Sequence, residues 1–242
     1  PPGAPTMKKG ESSINFLEEI LHPQAMAVVG ASNEPIAYGY HFTRHLLDYG
    51  YRGKIYPVNP NYHEVLGIKT YPRLRDIPGT VDYVICCIPA PGIPELLEDC
   101  SQKGVRAVHL LTARLSETGR PDAIKLEKDI LRQARKRGIR LIGSNSMGIY
   151  YPRERLSFSY DFPKEPGPVG ALFQSGGASM ELIRSASLRG IRFSKVISYG
   201  NAVDYNESDF LDYLAQDLET RVILSYIEGV KDGKRFFNAL RN

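Results

Sequence analysis

Short β-branched runs alternate with longer amphipathic stretches along most of this sequence, and few folds accept that alternation. A strand-length run followed by a helix-period stretch makes a βα unit. Successive βα units build a parallel sheet with helices on its faces. The pattern predicts strands at Ala25–Gly30, Lys54–Val58, Val81–Ile88, Val105–Leu111 and Ile139–Ile142, with helices between them at Tyr38–Tyr49, Pro91–Lys103 and Pro121–Arg137. The last helix carries Ile124, Ile130, Leu131 and Ala134 on one side and Lys/Arg on the other, the period of a helix laid on a core. A leading helix at Ser13–Leu21 is expected on the outside.

The alternation breaks at Tyr151–Gly167, where Pro152, Pro163, Pro166 and Gly167 leave no helical period and room for one short strand, Leu156–Tyr160. It then resumes with strand Val169–Gln174, helix Ala178–Leu188, strand Phe193–Ser198, helix Ser208–Leu218, strand Val222–Tyr226 and helix Gly233–Leu240. The chain therefore reads as an α/β unit over 12–150, a linker over 151–167 and a second α/β unit over 168–242. Its length agrees, at about 1.6 times a 150-residue domain. Only three strands fit in the second unit, a thin core, so that unit is expected to be incomplete: truncated, or finished by another polypeptide.

Composition excludes several function classes. Thirty-one Lys+Arg against 27 Asp+Glu leave a charge of +4. That excess is too slight and scattered to make nucleic acid the main partner, though it suits a polyanionic small molecule. Cys86, Cys87 and Cys100 show neither CxxC spacing nor a disulfide framework, so a reducing, cytoplasmic setting is expected. The best apolar run, Val81–Ile88, stops at Pro89, far short of the roughly 18 residues that span a bilayer, so no membrane partner is expected. Pro1–Lys9 lacks the apolar core of a signal peptide and reads as a flexible tail.

Ligands of open parallel sheets sit beyond the carboxyl ends of the strands, where the strand order reverses. The first such end reads Val28-Val29-Gly30-Ala31-Ser32-Asn33. Small residues there let backbone N–H groups approach a phosphate, and the next helix offers its positive end. Gly30 alone also fits a turn that merely needs a small residue. Gly39 lies nine residues on, so the GxGxxG spacing is absent. The second strand ends Ile55-Tyr56-Pro57-Val58-Asn59-Pro60, without an acidic residue to grip a nicotinamide ribose, which disfavours NAD. The third ends Cys86-Cys87-Ile88-Pro89-Ala90-Pro91; its prolines offer a flat apolar surface to an adenine, or simply stop the strand. Together Gly30–Asn33, Pro57–Pro60 and Ile88–Pro91 would line one crevice, with Lys54, Arg52 or Lys69 near a phosphate. Such a crevice suits a phosphorylated adenosine read without an acidic ribose contact.

These residues carry a resemblance. VVGASNEP (Val28–Pro35), the Gly50–Pro60 segment, IPA (Ile88–Ala90), SGGA (Ser175–Ala178), Gly200–Asp217 and YIEGVKDGKRF (Tyr226–Phe236) follow one another as in the CoA-binding half of ADP-forming acyl-CoA synthetases. These are relatives of the succinyl-CoA synthetase α subunit, and the resemblance runs from about Phe16 to the end. It implies a Rossmann-like parallel-sheet CoA-binding domain followed by a partial flavodoxin-like, succinyl-CoA-synthetase-type α/β domain. It further implies that Gly30, Ala31 and Ser32, with Asn33 beside them, contact the CoA pyrophosphate. Pro57, Asn59 and Pro60 would frame the adenosine with Ile88 and Pro89. Thr112, Ala113 and Asn145 would flank the pantetheine and thiol end. Two departures fall there: Gly143-Ser144-Asn145-Ser146 stands where the family commonly has GPNC, and Arg114 stands where a glycine is common. Arg114 is read as a surface salt-bridge partner or as a group that meets a carboxylate on the acyl chain.

In the second unit, Ser175, Gly176 and Gly177 open a helix and form a plausible phosphate cradle, or else a tight βα turn. By resemblance the cradle holds a phosphate that travels as phosphohistidine, and Glu228 orients that histidine through its ring N–H. The implied reaction is acyl-CoA plus phosphate giving acyl phosphate and CoA. A histidine then passes the phosphoryl group to ADP, with Mg, on a separate ATP-grasp domain or subunit. His22, His41, His45, His63 and His109 all lie in the first unit, so these residues lack the phosphohistidine loop and are expected to bind CoA without completing turnover. His41 and His45 lie four apart, a metal-compatible spacing without a third ligand, and no metal site is expected. A homo-oligomer is left open. A CoA-sensing regulatory module, like the homologous domain fused to bacterial protein acetyltransferases, is the alternative function. A nucleotide-sugar or NAD-type Rossmann enzyme is the third reading.

Overall fold

The computed structural model describes residues 13 to 241; the tail read at Pro1–Lys9 lies outside them. The first unit runs α1 (Ser13–Leu21), β1 (Ala25–Val29), α2 (Tyr38–Tyr49), β2 (Lys54–Val58), the two-residue strands β3 (Glu64–Val65) and β4 (Ile68–Lys69), β5 (Tyr83–Cys86), α3 (Ile93–Lys103), β6 (Ala107–Leu110), α4 (Pro121–Lys136) and β7 (Arg140–Gly143). Five strands form a sheet in the order β2-β1-β5-β6-β7, every pairing parallel. Strands β1, β5 and β6 are buried along their whole length, as strands covered on both faces must be. Helices α3 and α4 each carry proline in the first turn, where its missing N–H costs nothing. Helix α4 buries Ala123, Glu127, Ile130 and Ala134 and leaves its Lys/Arg face to solvent. The antiparallel β3–β4 hairpin was not anticipated; two-residue strands leave no periodicity to read.

The second unit contains β8 (Gly148–Tyr150), β9 (Val169–Phe173), α5 (Gly176–Leu188), β10 (Phe193–Ser198), α6 (Glu207–Gln216), β11 (Val222–Tyr226) and α7 (Gly233–Arg241). Its sheet has four strands, not the three expected, in the order β11-β9-β10-β8. The additional strand, β8, runs antiparallel to β10 through Val196 opposite Tyr150 and Ser198 opposite Gly148. Three residues directly after a glycine-bracketed loop are too few to show a strand period. The strand expected at Leu156–Tyr160 does not form: Leu156 makes a single bridge to Tyr151. The segment instead buries Leu156, Phe158 and Phe162, with the Phe158 and Phe162 rings edge to face at 5.3 Å. These aromatics reach the core from an irregular backbone.

The two sheets share one apolar interior that runs from Phe16 and Ile20 through Tyr150 to Phe173 and Phe210. Helix α1 ties the units together: Phe16 stacks on Tyr205 at 6.1 Å, and Tyr213 Oη donates to Glu18 at 2.5 Å. A second tie is Asp204, whose fully buried carboxylate accepts from Arg135, Arg140 and the Leu141 backbone N–H. Among the described residues no helix is long and apolar enough to cross a membrane.

Candidate functional site

Both sheets reverse strand order next to their first strand, between β1 and β5 and between β9 and β11. Such switch points open ligand crevices beyond the strands' carboxyl ends. Here the carboxyl ends of β5, β6 and β7 face those of β9, β10 and β11 across one crevice of about 940 Å³. The first unit lines it with Ile88, Pro89, Thr112, Ala113, Arg114 and Asn145; the second with Ser175, Gly176, Gly177, Asn201 and Glu228. Nine of the candidate binding and catalytic residues read from the sequence meet there, and Arg114 with them.

A second cleft of about 490 Å³ lies beside it, lined by Gly30, Asn59, Pro60, Arg73 and Asp99, and Ile88 borders both. The single crevice expected is therefore two, joined at Ile88. Four sequence-derived candidates line neither. Pro57 is buried inside β2 opposite Val28, and Ala31 and Ser32 are buried beneath the turn. Asn33 holds the β3–β4 hairpin, donating from Nδ2 to the Glu64 carbonyl and accepting from the Leu66 N–H. The backbone N–H groups of Gly30 and Ala31 both donate to the Val58 carbonyl, at 2.9 and 3.3 Å. Asn59 donates to the Ala31 carbonyl at 2.7 Å and so fixes the turn.

Lys54, Arg52 and Lys69 line neither cleft. Lys54 opens β2 at its amino end, the wrong end of a parallel strand for a ligand, and Lys69 lies over the Tyr71 ring at 5.3 Å. The cation at the smaller cleft is Arg73. Its guanidinium grips Asp99 through Nε and Nη2 at 3.1 and 2.9 Å and also pairs with Glu95.

The wall between the two units is a hydrogen-bonded loop, Gly143–Met147. The Gly143–Ser144 peptide is cis, and Ser144 occupies the place of the proline in GPNC. Ser144 Oγ donates to Glu127 at 2.8 Å, and Asn201 Nδ2 reaches Ser144 Oγ, Glu127 and Glu117 at 3.0, 3.3 and 2.6 Å. The Asn201 and Val203 N–H groups donate to the Ser144 and Gly143 carbonyls, and Asn145 N–H donates to Thr112. Asn145 thus owes its place in the crevice to both units. Sequence reasoning missed Asn201, Glu117 and Glu127 as a network, because the bonds that Asn201 makes to close it span 57 to 84 positions.

His109 supports this loop from below. It is fully buried, and Nε2–H donates to the Ser146 carbonyl at 2.8 Å, which fixes the tautomer. Burial pushes its pKa down to about 4. Between that value and the unfolded 6.5, the unfolded chain binds the extra proton, so His109's contribution is complete above pH 6.5 and is lost as pH falls toward 4. One such group is worth roughly 3 kcal/mol over that window. His109→Gln, whose amide keeps a donor for Ser146, is expected to flatten that part of the stability–pH curve in urea melts at pH 7 and 4.5. An unchanged slope would remove His109 from this role.

On the opposite wall, Ser175 caps α5 by accepting from the Ala178 N–H at 3.2 Å. The N–H groups of Gly176 and Gly177 then belong to the first turn, which has no intrahelical acceptor for them. Gln174 Oε1 accepts the Glu228 and Gly229 N–H groups at 2.7 and 3.0 Å, which holds the exposed Glu228 at the end of β11 beside that turn. Cys87 lines the crevice, but burial pushes its thiol pKa well up, with Cys86 adding to the shift, so it is not a thiolate nucleophile. His41 and His45 stack at 5.9 Å on α2 and line neither cleft. No group of three metal-ligating side chains occurs among the described residues.

Comparisons with known proteins match this arrangement. Residues 24–152 match the CoA binding domain family, and residues 166–242 match the succinyl-CoA ligase like flavodoxin domain. The acetate–CoA ligase (ADP-forming) I subunit alpha of Pyrococcus furiosus is 37% identical over 231 residues, covering 93% of this chain and 50% of that subunit. The acetate–CoA ligase (ADP-forming) of Methanocaldococcus jannaschii is 38% identical over 227 residues, covering 93% of this chain and 31% of that protein. Among solved structures, acetyl-coenzyme A synthetase 1 of Ca. Korarchaeum cryptofilum, in complex with phosphate and ADP, superposes with a TM-score of 0.85 at 34% identity. That match covers 92% of this chain and 48% of the other. The chain thus spans half or less of the length of these relatives.

Proposed function

Because the chain belongs to the CoA binding domain family and, with its second domain, to the ADP-forming acyl-CoA synthetases, we propose that it is the part of such an enzyme that binds CoA and acyl-CoA and presents them to phosphate. The observation that carries this reading is the shared crevice: thiol-end candidates Thr112, Ala113 and Asn145 face the α5 amino terminus and Glu228 across one space. The smaller cleft, with Gly30, Asn59, Pro60 and Arg73, takes the phosphoadenosine end, and Ile88 lies where the two parts of the ligand would join.

In the proposed step a phosphate oxygen attacks the thioester carbonyl, the C–S bond breaks, and CoA leaves as the thiolate, which then takes a proton. The acyl group leaves as acyl phosphate. The Gly176 and Gly177 amides, at the positive end of a 13-residue helix, hold the phosphate. Glu228 orients a phosphate-accepting histidine supplied from outside these 242 residues, since none of the five histidines here lines the crevice. ADP and its Mg are assigned to an ATP-grasp domain or subunit, and the reaction to the cytoplasm, where free Cys86, Cys87 and Cys100 stay reduced.

A ligand that binds only the native state raises its melting temperature by mass action, about 2.7 kcal/mol at 100 times Kd. At roughly 2–4 °C per kcal/mol for a chain of this size, saturating CoA is expected to raise Tm by about 5–10 °C, dephospho-CoA less, and NAD not at all. A shift with NAD and none with CoA would end the proposal.

A further inference from the structure

Arg114 sits at the carboxyl end of β6 with its backbone at φ +65°, the left-handed region that favours glycine. The residue is exposed and lines the larger crevice. Three arginines border the two clefts, and the other two are neutralised: Arg120 by Asp122, Arg73 by Asp99 and Glu95. Arg114 has no carboxylate partner among the described residues.

Glu117, three positions on, is the carboxylate best placed to serve as that partner, and it is already committed. It accepts the N–H groups of Arg114 itself and of Leu115, and it takes Asn201 Nδ2. That arrangement pins the Arg114 backbone and leaves its guanidinium free. The neighbouring crevice residues Ala113, Asn145 and Ser146 carry no charge. An unpaired planar guanidinium held on a fixed backbone is suited to bidentate recognition of a carboxylate.

We propose that Arg114 is a specificity-determining residue that reads a carboxylate at the far end of the acyl chain, so that the preferred thioester is a half-thioester of a dicarboxylic acid. The proposal rests on the CoA reading above. The phosphates of CoA are an unsuited target, because they fall to the smaller cleft on the far side of Ile88, which has Arg73 of its own.

The test uses the 242-residue chain and calorimetric titration with CoA, pentanoyl-CoA and glutaryl-CoA; the two thioesters share a chain length and differ in a terminal methyl or carboxylate. Glutaryl-CoA is expected to bind about tenfold more tightly than pentanoyl-CoA, as one charge-assisted bidentate contact supplies. In Arg114→Gly, which suits the backbone conformation, that ratio is expected to fall to about one; in Arg114→Lys it is expected to be intermediate. Equal affinities for the two thioesters in the unsubstituted chain, with CoA bound, would overturn this proposal and leave the CoA reading standing. Equal losses for all three ligands in Arg114→Gly would place the guanidinium on CoA itself and also overturn it. No binding of CoA would overturn the CoA reading and this proposal together.

Discussion

Replacing Asp204 with alanine is expected to destabilise the protein by about 3–5 kcal/mol, the cost of removing one partner from a buried ion pair. The carboxylate is fully buried and receives Arg140 Nε at 2.6 Å, Arg135 at 2.9 Å and the Leu141 N–H at 3.0 Å. Arg140 is itself largely buried, with its guanidinium 4.0 Å over the Tyr205 ring. Without Asp204 that cation and an amide at the start of β7 are left unpaired away from water. Arg135 is more exposed and recovers its hydration, so it adds little. Asp204→Asn, which keeps one acceptor oxygen, is expected to fall between. At the size scaling used above, the alanine variant should melt on the order of 10 °C lower. A change within about 2 °C would show that Arg140 finds other partners and that the tie between the units lies elsewhere.

Gly200→Ala is the second large effect expected, and it joins stability to ligand binding. Gly200 has φ +57°, where a side chain costs about 1–2 kcal/mol. A Cβ there would also strike the Ser144 and Asn145 carbonyls, so the chain must part from the loop. Parting breaks the bonds from the Asn201 and Val203 N–H groups to the Ser144 and Gly143 carbonyls. Together these amount to about 3 kcal/mol or more. Because Asn145 is held by that same loop, the CoA-induced rise in Tm is expected to shrink in proportion. Gly177→Ala is the contrasting case for stability. Nothing lies within 4 Å of its Cβ position, and an alanine in a helical turn should be neutral or slightly stabilising. A Gly200→Ala variant with unaltered melting and an unaltered CoA shift would show that the loop does not depend on this contact.

The α/β class was legible because buried parallel strands are β-branched runs, and because helices between them keep a 3.6-residue period on one face. Helices Ser13–Leu21 and Tyr38–Tyr49 and strands Lys54–Val58, Phe193–Ser198 and Val222–Tyr226 have the limits read from the sequence. Of the strand ends expected to carry ligand, those at Ile88, Thr112, Asn145, Ser175 and Glu228 line the larger crevice. The misreadings share a cause. Strand β8 is defined by its partner β10 rather than by its own three residues, and Leu156–Phe162 is held by aromatic contacts instead of a ladder. Lys54, Arg52 and Lys69, the basic residues close in sequence to the second strand, do not line the smaller cleft. Arg73 reaches it from a later turn and is positioned by Asp99 on α3.

Local pattern determined most of the strand and helix segments, the parallel βα alternation, and which strand ends hold small or apolar residues, because these follow from period and side-chain size within a few neighbours. Only the tertiary structure decided that the ends of two sheets face each other, that Asn201 closes a network with Glu117, Glu127 and Ser144, and that Arg114 is left without a carboxylate. Those outcomes depend on hydrogen bonds between residues tens of positions apart, and such pairings are chosen by packing rather than by any property of the residues taken singly.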